Sequence, residues 1–244
     1  MKHSAITLIL CSSAFVTGLA AASPIKIADV TGSWVNVTPG APVVSGLNTD
    51  TIKWGNSNPD YQSGYAFLGN AAPAFHATEG EEFSLGEFMH FNHPIGGTPL
   101  TSAELKVTAM VNLDGVSQIL ESIFQFDHWE TVNGPAAGET CANGESREST
   151  INQYGCADRV TLALNESSSS YYAIGSKKYY LDITGFFQDG ELAHELWTQE
   201  RTTSTSLLSG IIRSSALEVP EPSSFALVAL SLLGFFSRKM WRRG

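Results

Sequence analysis

Apolar and polar residues alternate with a period of two through most of this chain, and the 3.6-residue period of an amphipathic helix is nearly absent before residue 218. The short alternating runs are broken by clusters of Gly, Pro, Asn and Asp, the residues that set turns. The pattern predicts strands over residues 29–37, 51–54, 65–67, 83–91, 105–113, 118–129, 158–164, 178–186, 191–198 and 205–213. In 105–113, Leu105, Val107, Ala109, Val111 and Leu113 point one way, and Lys106, Thr108 and Asn112 the other. Asp114-Gly115 then supplies a tight hairpin turn, and 118–129 returns. The return strand carries Ile119 and Ile123 on one face and Leu120, Phe124 and Phe126 on the other, so it is expected centrally, covered on each side. Asp189-Gly190 marks a second hairpin, joining 178–186 to 191–198. About ten short strands joined by such turns predict an all-β fold: a single β-sandwich, jelly-roll-like, with no internal repeat.

The two ends read differently. Residues 1–22 have the layout of a secretory signal peptide, with Lys2 in the positive region, an apolar stretch over 5–19 and Ala20-Ala21-Ala22 as a small-residue cleavage site. Cys11 is not a lipidation site on this reading, because Leu10 precedes it where a small residue is needed. This divides the chain into a leader at 1–22, an exported domain at 23–217 and a tail at 218–244. In the tail, Pro220 and Pro222 keep the backbone extended. An apolar run over 225–236, interrupted only by Ser231, follows. With its flanking serines it becomes a transmembrane segment over 223–237, near the lower limit of about 17 residues. Arg238, Lys239, Arg242 and Arg243 lie beyond it and are expected to stay on the cytoplasmic side.

Val219-Pro220-Glu221-Pro222, an apolar helix and terminal arginines, in that order, closely resemble the PEP-CTERM sorting signal of Gram-negative bacteria. The resemblance implies that exosortase, a membrane-embedded transpeptidase-like enzyme, recognises Val219, Pro220, Glu221 and Pro222 and removes the tail. It also implies a precursor held at the bacterial inner membrane, then a protein at the cell surface or in the extracellular matrix, with exopolysaccharide as a partner. A second resemblance, over roughly 32–216, is to the choice-of-anchor K domain. It rests on the order of Ile52-Lys53-Trp54-Gly55, Ser63-Gly64-Tyr65-Ala66-Phe67, the segment 83–95, the strand 105–113 and Trp129-Glu130-Thr131-Val132-Asn133. Met89 stands where that family has Thr before the His. The family implies fold and surface location and carries no chemistry over.

Charge narrows the partners further. Without the leader and tail the domain has 22 acidic and 9 basic residues, a net charge of −13, which disfavours nucleic acid and anionic membrane surfaces. Of three cysteines, Cys141 and Cys156 remain after the leader, and an even pair in an exported protein is expected as a disulfide. The alternative, a metal pair, lacks a nearby histidine.

No catalytic constellation stands out. His90 and His93 come nearest to a metal pair, but strand alternation puts them on opposite faces; His90 and Asn92 are expected to hydrogen-bond backbone at a strand end instead. His194-Glu195 lacks the second histidine of a zinc-protease helix, since position 198 is Thr198. In Asp127-His128-Trp129-Glu130, alternation sorts Asp127 with Trp129 and His128 with Glu130, so at most half faces any one site. The abundance of acids hides any glycosidase pair. There is no nucleophile elbow, phosphate-binding glycine loop, dinucleotide fingerprint or twelve-residue calcium loop. Trp54, Tyr61, Tyr65, Trp129, Tyr171, Tyr172 and Trp197 are expected mostly in the core or half-buried on the sheets, with a sugar-stacking platform as the alternative. The expectation is a non-enzymatic, surface-displayed domain with no cofactor and no metal. A carbohydrate-binding module is the alternative, and a glycan-acting hydrolase stands behind both.

Overall fold

The computed structural model of the protein describes residues 24–38, 44–55, 58–71, 74–134, 138–164, 170–188 and 190–217. The expected leader and the whole tail, with its sorting residues, transmembrane segment and basic cluster, lie outside them. The described residues form thirteen strands: β1 (Pro24–Thr38), β2 (Thr51–Trp54), β3 (Ser63–Gly69), β4 (Phe75–Thr78), β5 (Glu82–Asn92), β6 (Ser102–Leu113), β7 (Val116–Trp129), β8 (Asp158–Ala163), β9 (Tyr171–Ile174), β10 (Lys177–Gln188), β11 (Glu191–Ala193), β12 (Glu195–Thr198) and β13 (Thr202–Ala216). The architecture is all-β. One sheet runs β12-β8-β7-β6-β1-β4 and the other β11-β10-β13-β5-β3-β2, with β9 added beside β10. All these strand pairs are antiparallel.

Side-chain alternation places the core between the sheets. On β6 the residues expected inward, Leu105, Val107, Ala109, Val111 and Leu113, are all buried. Rings from both sheets fill the space: Phe88 of β5 stacks on Phe126 of β7 at 5.2 Å with planes 13° apart, and Trp34 of β1 meets Tyr65 of β3 at 5.2 Å. The Trp34 indole donates to the Asp50 carbonyl at 3.1 Å, tying the β1 face to the approach to β2. The turn between β6 and β7 forms as expected, with φ of 50° at Asp114 and 85° at Gly115, the double positive-φ conformation suited to strand twist.

Three departures from the sequence pattern are informative. The run 191–198 is two strands, not one: β11 belongs to one sheet and β12 to the other, with His194 at the corner between them. The His194 carbonyl accepts from the Leu162 amide at 2.9 Å, so the corner is itself hydrogen-bonded to β8. β7 is central in its sheet, but only one of its faces is covered: Leu120, Phe124 and Phe126 are buried, while Ile119 and Ile123 are exposed. β4 and β9, four residues each, carry too little alternation to be read from the sequence.

Replacing Phe88 by Ala removes the ring that joins the two sheets, and is expected to lower stability by about 3–5 kcal/mol. The loss is read as a drop in the urea midpoint of the tryptophan fluorescence transition.

Candidate functional site

At one end of the core the apolar filling gives way to polar side chains. Alternation along β7 that buries Phe124 and Phe126 also buries His128, and alternation along β8 that buries Val160 and Leu162 also buries Asp158. The last inward positions of β5 are His90 and Asn92, and that of β12 is Thr198. Hydrogen bonds then cross from sheet to sheet. The Tyr65 hydroxyl lies 2.7 Å from His128 Nδ1, and His90 Nδ1 lies 2.8 Å from Thr198 Oγ1. Asn92 Nδ2 donates to the Thr198 carbonyl at 3.0 Å, and Thr198 Oγ1 donates to the Asp158 carbonyl at 3.2 Å. A threonine hydroxyl donating to a carbonyl accepts from His90, which places the His90 proton on Nδ1. With the Tyr65 hydroxyl donating to His128 Nδ1, the other imidazole nitrogen carries the proton and faces Glu130 Oε2 at 3.5 Å. Trp54 closes the box, stacked on His90 at 6.0 Å and edge-on to His128 at 5.4 Å.

Three carboxyl groups gather behind this box: Glu130 just after β7, Asp158 at the start of β8 and Glu200 just after β12. One ligand atom each from His128, Glu130 and Asp158 lies within 4.8 Å of the others. The Thr131 amide holds Asp158 Oδ1 at 2.7 Å, and Thr131 Oγ1 donates to the Cys156 carbonyl at 2.9 Å, beside the Cys141–Cys156 disulfide. Gly155 makes room for the rest: a Cβ there would stand 2.7 Å from Glu200 Cγ and 3.2 Å from Asn133 Oδ1, and its φ is 150°. Asp158 and Glu200 have no exposed surface. Buried without a hydrogen-bond partner in the protein are Asp158 Oδ2, Glu130 Oε1, both Glu200 oxygens and Asn133 Oδ1.

Such burial disfavours charge. Burial and the nearby Glu130 charge push Asp158 up to about 7, against the pull of the Thr131 hydrogen bonds. Burial also pushes Glu130 to about 7, with the Asn133 and Asp158 side chains opposing. Glu200 rises to about 8, through burial first and then the charges of Asp158 and Glu130. His128 falls to about 4 through burial, with Asp158 opposing, and His90 drops well below its ordinary value for the same reason. The histidines are therefore neutral in the folded protein at pH 7, and the acids are poised between their two forms.

His90 and His93 do lie apart: His90 is buried in the box, while His93 is half-buried and its amide donates to Ser63 Oγ at 3.1 Å. His90 bonds a side-chain hydroxyl of the opposite sheet rather than a backbone group of its own strand end. Of the 127–130 run, His128 and Glu130 face inward, and Asp127 faces outward, accepting from Gln125 Nε2 at 2.6 Å. His194 and Glu195 stay clear of the cluster; Glu195 accepts from the Trp197 indole at 3.2 Å. Cys141 and Cys156 are joined as expected. Asp158, Glu200, Asn133 and Thr198 were not singled out from the sequence. For Asp158 the signal is a carboxylate on the inward face of an apolar strand; Asn133 closes the 129–133 motif without being marked as a site residue, and Glu200, in a turn, carries no signal. Outside, Trp129 and Trp197 lie 6.4 Å apart with planes 55° apart, and the Arg159 guanidinium sits 4.7 Å from the Trp129 ring centre. Trp129 also lines an open cleft with Glu130, Val132, Glu139, Thr140 and Cys141.

The raised acids set a pH dependence. Their contribution is complete below the ordinary carboxylate values of 4.5 and 3.8 and is lost as pH rises through about 7 to about 8. The lowered His128 acts oppositely, but only below 6.5. In chelator, the thermal midpoint is therefore expected to fall by on the order of a few degrees between about pH 6.5 and 8. Glu200→Gln should flatten that fall, as followed by scanning calorimetry.

The described residues hold no helix long and apolar enough to cross a membrane. No curated protein matches the chain. The PEP-CTERM protein-sorting motif matches residues 218–243, beginning directly after the described part of the domain. That motif implies an exported protein whose membrane-held precursor is processed by exosortase.

Proposed function

We propose that the protein is a non-enzymatic, surface-displayed β-sandwich of jelly-roll type, akin to choice-of-anchor K domains and associated with exopolysaccharide after exosortase has removed its tail. The observation that carries this reading is the sorting motif at 218–243; in our reading Pro220, Glu221 and Pro222 are the residues the enzyme recognises. A binding or structural role is supported by the seclusion of the polar cluster. Asp158 and Glu200 have no exposed surface, which favours a structural or binding role for these acids over general acid–base chemistry. Replacing Pro220, Glu221 and Pro222 together by Ala is expected to leave a heavier, membrane-retained form. Intact mass and cell fractionation read the outcome; the same mass and location as the parent would remove the sorting role.

One observation favours carbohydrate binding as a second reading. Trp129 is 46% exposed, at the rim of a cleft that Glu139 and Thr140 also line. An aromatic face beside polar side chains suits a sugar ring. Trp129→Ala is expected to weaken binding about tenfold on a glycan array if this face is used. Equal signals for parent and variant on every glycan bound would discard the reading.

A further inference from the structure

We infer that Glu130, Asp158, Glu200 and Asn133 form a site for one hard divalent cation of the calcium class. The site stands independently of the tail and of any sugar. The argument begins with which atoms lack partners. Five buried oxygens of these four residues lack a partner: Glu130 Oε1, Asp158 Oδ2, Glu200 Oε1 and Oε2, and Asn133 Oδ1; the unpartnered nitrogens nearby, His90 Nε2 and Trp54 Nε1, belong to the adjoining box. The fifth is a neutral amide oxygen, which contributes nothing to a mere excess of acid and faces inward with the rest beside Gly155. Carboxylate and amide oxygens are the donor set of calcium. Both nitrogens of His128 are engaged, Nδ1 with the Tyr65 hydroxyl and the other with Glu130 Oε2. The imidazole therefore orients Glu130, turning its second oxygen toward Asp158, and does not itself serve as a ligand.

Charge points the same way. Among the described residues no Lys or Arg forms an ion pair with any of the three acids. Acids withdrawn from water need either protons or a cation to be tolerated. The approach is through the cleft that Glu130 and Thr131 line, whose far wall carries the disulfide. The walls are held before any ion arrives: Asn152 Nδ2 donates to the Ser146 carbonyl at 3.0 Å, and its Oδ1 accepts from the Ala157 amide at 3.0 Å. Glu200 lies in the turn from β12 to β13, and these strands belong to different sheets. A cation shared by Asp158 and Glu200 would thus staple the two sheets at the end where their apolar core stops.

The test uses the full chain, purified in mild detergent and stripped with chelator, titrated calorimetrically with calcium, magnesium and zinc chlorides. One calcium per chain is expected, with a thermal midpoint that rises as calcium is added. Glu200→Gln and Asp158→Asn should each weaken calcium binding by roughly tenfold or more, since ligand charge tunes affinity. Glu195→Gln, on the outer face, should leave it unchanged. In chelator the order reverses: Glu200→Gln should unfold no earlier than the parent, because a buried acid has been removed. Zinc bound in preference to calcium would mean a nitrogen site and overturn the inference. So would calcium binding that survives both variants, or a midpoint unmoved by calcium, which would mean protons alone hold the cluster. Should either variant fail to fold, calcium displacing terbium from the parent chain at one equivalent supports the site, and no displacement overturns it.

Discussion

Asp158 begins a strand whose other inward residues are Val160 and Leu162, and its carboxyl group lies as deep as they do. Taking such a group out of water costs several kcal/mol unless something in the protein answers it. The whole end of the domain is arranged around that demand. Thr131 meets one oxygen, Thr198 meets the backbone carbonyl of the same residue, and the loop carrying Thr131 is fixed through the Cys156 carbonyl. The two sheets meet elsewhere through rings that would tolerate small displacements. Here they meet through directed bonds, Tyr65 to His128 and His90 to Thr198, which do not.

The large features of the fold were legible because one rule, alternate residues to alternate faces, governs both local geometry and burial. It placed the inward row of β6, the hairpin at Asp114-Gly115 and the parity of His128 with Glu130. It failed where a strand leaves its sheet. Nothing in His194 distinguishes a corner from a continued strand, because the corner is held by a bond to Leu162 of β8, far earlier in the chain. It misled at Ile119 and Ile123, since apolar residues on a second face do not by themselves bring a partner to cover them.

The polar cluster was legible only in part, and the reason is topological. His128 and Glu130 are sequence neighbours, and parity alone pairs them. Asp158 could have been added by asking why an apolar strand carries an acid on its inward face. Glu200 and Asn133 lie in turns, where no periodicity applies, and they converge only because Gly155 has no side chain to keep them apart. A glycine that matters for what it omits leaves no positive mark in a sequence.

β13 is the strand nearest the sorting tail, and it is not at an edge. It lies between β10 and β5, paired with β10 from Leu207 to Ala216 and with β5 from Thr202 to Ile211. Both flanks grip it from Leu207 to Ile211, and β10 alone holds Ile212 to Ala216. A pull on the membrane-held end therefore meets the one-sided pairing first and must break it before reaching the part held on two sides. A precursor anchored by its C-terminus thus hangs from an interior strand of its sheet.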